Sequence, residues 1–142
     1  MIEQSKDPRR ALSKSEQMAR VRSRDTRPEK LVRSILSNLG VRYRLHRKEL
    51  PGRPDIYISR LRLAVFVNGC FWHNHDCARG RKPKTNVKFW HKKIRRNRAR
   101  DRKALEGLRS IGVTAVTLWT CEYPKFEPLC RRIARHYMRA LR

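Results

Sequence analysis

The segment Leu50-Pro51-Gly52-Arg53-Pro54-Asp55-Ile56-Tyr57-Ile58-Ser59-Arg60-Leu61-Arg62-Leu63-Ala64-Val65-Phe66-Val67 decides the fold. Its first five residues are rich in turn formers, and the β-rich runs Asp55 to Ser59 and Arg62 to Val67 read as two strands. Just upstream, Val41 to Leu45 reads as another, so the three form an antiparallel meander. Downstream comes a long basic helix from about Val87 to Ser110, then Gly112, then the β-rich Val113-Thr114-Ala115-Val116-Thr117-Leu118-Trp119. A strand, a crossover helix and another strand imply a parallel pairing beside the meander. The expected fold class is therefore α/β, a mixed sheet flanked by helices.

The flanks agree with this. Ser13-Lys14-Ser15-Glu16 and Thr26-Arg27-Pro28-Glu29 match the Ser/Thr-x-x-Glu capping box, and Pro28 falls where the first turn needs no amide donor. Two helices are predicted to open the chain. The second continues through Leu31, Val32, Ile35, Leu36 and Leu39 at helical spacing and stops at Gly40. A last helix carries Phe126, Leu129, Ile133, Tyr137 and Leu141. The order α-α-β-β-β-α-β-α reads as a single domain over residues 1–142, with 1–24 as an N-terminal helical region.

With 37 Lys and Arg against 12 Asp and Glu, the formal charge is +25. Such a surface repels itself, and a polyanion compensates it best, because cations that replace counterions on phosphates gain binding free energy. Nucleic acid is the expected partner. A membrane surface fits less well, since the cations run along the whole chain rather than along one amphipathic helix. The longest apolar run, Leu63 to Val67, is far short of a membrane span, and the first thirty residues hold no secretory apolar core, so a cytoplasmic protein is expected. The densest stretch, His91 to Lys103, carries eight Lys or Arg in thirteen residues. Phosphate contacts are expected there, with Lys92, Lys93 and Arg96 among them.

Cys70-Phe71-Trp72-His73-Asn74-His75-Asp76-Cys77 gathers two thiols and two imidazoles, and a third thiol, Cys121, follows the last strand. Four soft ligands suit one tetrahedral zinc ion, and the proposed set is Cys70, His75, Cys77 and Cys121. Spacing alone leaves His73 interchangeable with His75 and lets Asp76 reach a metal. The plainer reading is reduced, buried cysteines with a surface histidine. Cys130 falls on the apolar stripe of the final helix and reads as core.

A magnesium-dependent nuclease needs hard oxygen ligands, and only twelve acidic side chains are available. Asp55, opening a strand, and Glu29, in the first turn of the preceding helix, can converge. Each also has a local reading: a turn aspartate and a capping-box glutamate.

Together these residues resemble the very short patch repair (Vsr) endonucleases, which nick DNA beside T:G mismatches left by deamination of 5-methylcytosine. The resemblance rests on Met18-Ala19-Arg20-Val21, Arg24-Asp25-Thr26 and Glu29, on Leu50-Pro51-Gly52-Arg53-Pro54-Asp55, on Phe66-Val67-Asn68-Gly69-Cys70-Phe71-Trp72-His73, on Phe89-Trp90, and on Trp119-Thr120-Cys121. It implies a restriction-endonuclease-like (PD-(D/E)xK) core with a structural zinc site. It makes Asp55 the Mg2+-binding carboxylate, the main-chain carbonyl of Val67 a second Mg2+ ligand, Glu29 an outer acid that holds waters, and His73 the group that activates the attacking water. It makes Cys70, His75, Cys77 and Cys121 the ligands of structural Zn2+. It also implies that Phe71, Trp72 and Trp90 wedge beside the mismatch in double-stranded DNA, with Met18 probing the minor groove, while Trp119 is expected in the core. The product would be a nick with a 5′ phosphate. A monomer is expected, with a mismatch-repair protein as a further partner through the family.

Two departures stand out. The strand Arg62 to Val67 lacks the acidic-x-Lys pair of ordinary nucleases of this fold. Asn68 stands where relatives carry His or Asp, which alters a contact to water or phosphate. The alternatives are a nickase of broader mismatch or site specificity and a zinc-stabilised DNA-binding protein without catalysis.

Overall fold

The computed structural model describes Ala11, Gln17 and residues 24–142. The helix expected near Ser13, with Met18 on it, lies outside the described residues.

Helix α1 spans Arg27–Asn38, with the Thr26 hydroxyl accepting from the Glu29 amide and Pro28 in the first turn. It ends as its sequence predicts. Gly40, at φ +76°, donates to the Ser37 carbonyl and Val41 to the Leu36 carbonyl, both at 3.0 Å, which closes the helix through a left-handed residue. That closure shortens the first predicted strand. Val41 turns into the core and its amide serves the helix end, so only Arg44–Leu45 pairs as β1.

Strands β2 (Ile56–Ile58), β3 (Leu63–Asn68) and β4 (Thr114–Trp119) complete a sheet in the order β1-β2-β3-β4. β1, β2 and β3 are antiparallel, whereas β3 and β4 run parallel, in register from Leu63 opposite Thr114 to Asn68 opposite Trp119. Helix α2 (Val87–Ser110) supplies the crossover and α3 (Glu127–Ala140) ends the fold. The mixed sheet and its order match the sequence reading.

Strand alternation sorts side chains to two faces. On one, Ile56, Ile58, Val65, Val67 and Leu118 form a buried cluster with Val32 and Leu36 of α1 and with Cys130, Ile133 and Tyr137 of α3. On the other, Ala64 packs with Leu108 of α2 and Val113, flanked by Tyr57, Phe66 and Ala115. Helices therefore cover both faces, and the ends of the strands stay open for a site. Trp119 corrects an expectation, since it is half-buried and outside both clusters, stacked instead on a histidine described below.

The loop before Asp55 is pressed onto α2. Gly52 has φ +76°, and a Cβ there would lie 2.5 Å from the Ala104 Cβ, so the position excludes a side chain on both conformational and steric grounds. Gly52→Ala is expected to destabilise the fold by about 1–3 kcal/mol, read as a lower urea midpoint at unchanged slope. An unchanged midpoint would mean that the loop relaxes away from α2.

Candidate active site and metal centre

Asp55 enters β2 directly after the buried Pro54, and its Oδ2 accepts from the Val67 amide at 2.7 Å. That bond carries the carboxylate across to the C-terminal end of β3, where the chain leaves the sheet toward the cysteine-rich loop. Oδ1 has no partner among the described residues. Burial pushes the Asp55 carboxyl up to about 6, opposed by the Val67 amide and reinforced by the Glu29 charge. A buried, half-bonded carboxylate of this kind suits a hard cation, which would restore its ionised form.

Glu29 is 2% exposed. Its carboxylate accepts from the Asp25 amide at 2.9 Å and from the Thr26 hydroxyl, while the Arg33 guanidinium lies 3.2 Å away. The Glu29 charge pushes the Asp55 carboxyl up, while those of His46 and Arg33 pull it down.

Cys70, His75, Cys77 and Cys121 bring their ligand atoms within 4.8 Å of one another. The local backbone explains how. The His75 amide bonds back to the Cys70 carbonyl and the Cys77 amide to the His75 carbonyl, folding the loop on itself. A Cβ at Gly80 would sit 1.9 Å from the His75 carbonyl oxygen, so only glycine closes the loop. Burial opposes ionisation of Cys70, but the Thr120 hydroxyl and Cys121 amide, both donating to its sulfur, outweigh it and hold the thiol below its ordinary value. Partial burial and the neighbouring Cys70 push Cys121 up to about 11. Three sulfurs and one imidazole nitrogen at this separation fit a single soft-ligand metal ion. His75 stacks on Trp119 at 4.2 Å between centroids, the contact that holds Trp119 out of the core. The ambiguity between the two histidines is resolved, because His73 and the exposed Asp76 lie outside the cluster.

His73 Nδ1 instead meets Asp101 Oδ2 at 2.5 Å, a pairing that the sequence reading missed. Asp101 lies on α2, twenty-eight residues away, and is the sole carboxylate in the basic run His91 to Lys103. That isolation was the available signal. It belongs to a stripe of α2 that follows the loop in order: Trp90 meets Phe71 edge-on at 5.2 Å, the Lys93 ammonium lies 4.9 Å from the Trp72 ring centre, the Asn97 amide donates to the Trp72 carbonyl, and Asp101 holds His73. These residues are spaced by three, four and four, one face of a helix.

Within the aromatic group Trp90 is 6% exposed and forms the floor, while Phe71 and Trp72 are half-buried and Phe89 is 56% exposed. Lys92 and Arg96 are exposed on α2, and Asn68 ends β3 beside Trp119.

Comparison with known proteins finds relatives of most of the chain and of its fold. The model of the DNA mismatch endonuclease Vsr family matches residues 7–79. The type II nicking enzyme V.XorIIP of Xanthomonas oryzae pv. oryzae is 50% identical over 116 residues, covering 82% of this chain and 85% of that protein. The DNA mismatch endonuclease Vsr of Escherichia coli is 37% identical over 109 residues, covering 77% and 70%. A homing endonuclease catalytic domain shares the fold, with a TM-score of 0.53 and 21% identity over 83% of this chain and all of that one. Fold and relatives together define a nicking endonuclease that acts on DNA. The chain belongs to the Vsr DNA mismatch endonuclease family.

Proposed function

We propose that the chain nicks one strand of duplex DNA on the 5′ side of the T in a T:G mismatch, with Mg2+ at Asp55 and Zn2+ as a structural tie in the cysteine cluster. The observation that carries this reading is the joining of Asp55 to the end of β3 by its bond to the Val67 amide, where the loop bearing His73 begins. Asp55 Oδ1 and the Val67 carbonyl would hold the metal, and Glu29 would hold waters nearby. Bound there, a hard divalent ion supplies charge stabilisation to the pentacovalent phosphate and the departing 3′ oxygen. His73 Nε2 accepts the proton of the attacking water, because Nδ1 is committed to Asp101, which favours the tautomer with Nε2 unprotonated. The cysteine cluster keeps His73 pointed at the phosphate by fixing the loop on both sides of it.

Phe71 and Trp72 supply the wedge that a weakly stacked T:G step admits, with Trp90 supporting them and Lys92, Lys93, Arg96 and Asn68 meeting the backbone. One site suffices for one nick, so the active form is a monomer.

Nicking of duplexes that differ by one T:G pair, in a methylation-site context, tests the reading. Strand-specific cutting beside T is expected, with His73→Ala costing on the order of 10²–10⁴-fold and Asp101→Asn the lower end of that range. Equal cutting of matched and mismatched duplexes would move the reading to a broader nickase. Tight binding without cutting would leave a DNA-binding protein.

A further inference from the structure

Asp25, Glu29 and His46 each bring a ligand atom to within 4.8 Å of the others, a donor set that suits a divalent ion. A guanidinium lies among them. Arg33 donates from one terminal nitrogen to Asp25 Oδ1 at 2.8 Å, and its other terminal nitrogen lies 3.2 Å from Glu29 Oε2 and 3.1 Å from His46 Nε2. Since a guanidinium has no acceptor, the imidazole nitrogen accepts there. The cluster adjoins the active site directly, because the His46 amide bonds to the Asp55 carbonyl at 3.4 Å.

Two features set this apart from a simple surface ion pair. The Glu29 side chain is 3% exposed and that of Arg33 15%, so this pair meets largely out of water, while Asp25, 50% exposed, closes the cluster on the solvent side. The Arg33 Nε is also buried with no partner among the described residues, a cost that a fastening built for stability alone would avoid. Meanwhile β3 carries no lysine, and the cationic groups that act on Asp55 are His46 and Arg33 of α1.

We propose that Arg33 is the resident cation of the Asp25, Glu29 and His46 cluster, a positioning residue that fixes the Glu29 carboxylate beside Asp55 and keeps divalent ions out of the cluster. Metal is thereby confined to Asp55. Only that last consequence rests on the proposed role of Asp55, and the test removes it.

Mn2+ binding to the zinc-loaded protein is measured from the signal of the free ion by electron paramagnetic resonance, with Asp55→Asn as the common background. Adding Arg33→Met opens the cluster, and one further Mn2+ per chain is expected. Arg33→Lys, which keeps a cation, gains none, and Glu29→Gln added to Arg33→Met removes the gain. An unchanged stoichiometry in the Arg33→Met protein, or the same gain in Arg33→Lys, would overturn the proposal and leave an ordinary ion pair. Should Arg33→Met fail to fold in metal-free buffer, refolding on addition of Mn2+ supports the proposal and failure to refold overturns it.

Discussion

Asp55→Asn is expected to cut nicking sharply and at the same time to make the metal-free protein harder to unfold. The two effects share one cause. Burial raises the Asp55 carboxyl from 3.8 to about 6, so the folded protein holds a proton there more tightly than the unfolded chain does. Stability from this group is complete below the unfolded value, falls as pH rises through the window from 3.8 to about 6, and stays lost above it. At about 1.4 kcal/mol per unit, the loss at pH 8 approaches about 3 kcal/mol. Asparagine keeps an oxygen for the Val67 amide but carries no charge, so the variant recovers most of that loss. Mg2+ should reverse the order, stabilising wild type and leaving the variant unaffected. Thermal melts at pH 5 and pH 8, with and without Mg2+, check this. A variant that melts below wild type at pH 8 without metal would sink it. Nicking by the variant should fall by about 10³-fold or more, since the ion contributes several kcal/mol to the transition state. At low Mg2+ the wild-type rate should rise with pH through about 6, and that midpoint should move down as Mg2+ increases.

Removing metal from the cysteine cluster should have the second largest effect, and a local one. Cys121→Ala deletes one of four converging ligands, and metal content is expected to fall from one ion per chain to none. The main hydrophobic cluster involves none of these residues, so far-UV circular dichroism should persist while the near-UV signal around Trp119 and Trp72 changes. Nicking should fall by about 10²-fold or more although Asp55 is untouched, because His73 loses its fixed direction and small displacements of a reacting group are costly. Cys130→Ala is the control. Cys130 is more deeply buried than Cys121 but lies in the helical core, so metal content and nicking should be retained. Normal nicking by metal-free Cys121→Ala would show that the loop holds His73 without help.

The sheet was legible because its signals are local. Turn residues around Gly52, the apolar β-rich run Leu63 to Val67, and Gly40 after an apolar stripe each act within a few residues, and these elements appeared where their patterns placed them. The first strand came out shorter for a reason that no strand pattern contains: the Val41 amide was needed to close α1. Cys70, His75 and Cys77 were legible as soft donors for a similar reason, lying in one short loop, whereas Cys121 reaches them from the end of β4.

What composition and pattern determined without help was the class of partner, the order of the elements and the three cysteines offered to one metal, with Asp55 singled out as a candidate carboxylate. Tertiary structure decided which histidine joins that cluster, that Asp101 holds the other, that Trp90 lies beneath the exposed rings, that Trp119 braces His75, and that Arg33 sits among the acids around Glu29. The physical reason is one of range. Periodicity says that Trp90, Lys93, Asn97 and Asp101 share a face of α2, but only the packing of α2 on the sheet turns that face toward Phe71, Trp72 and His73.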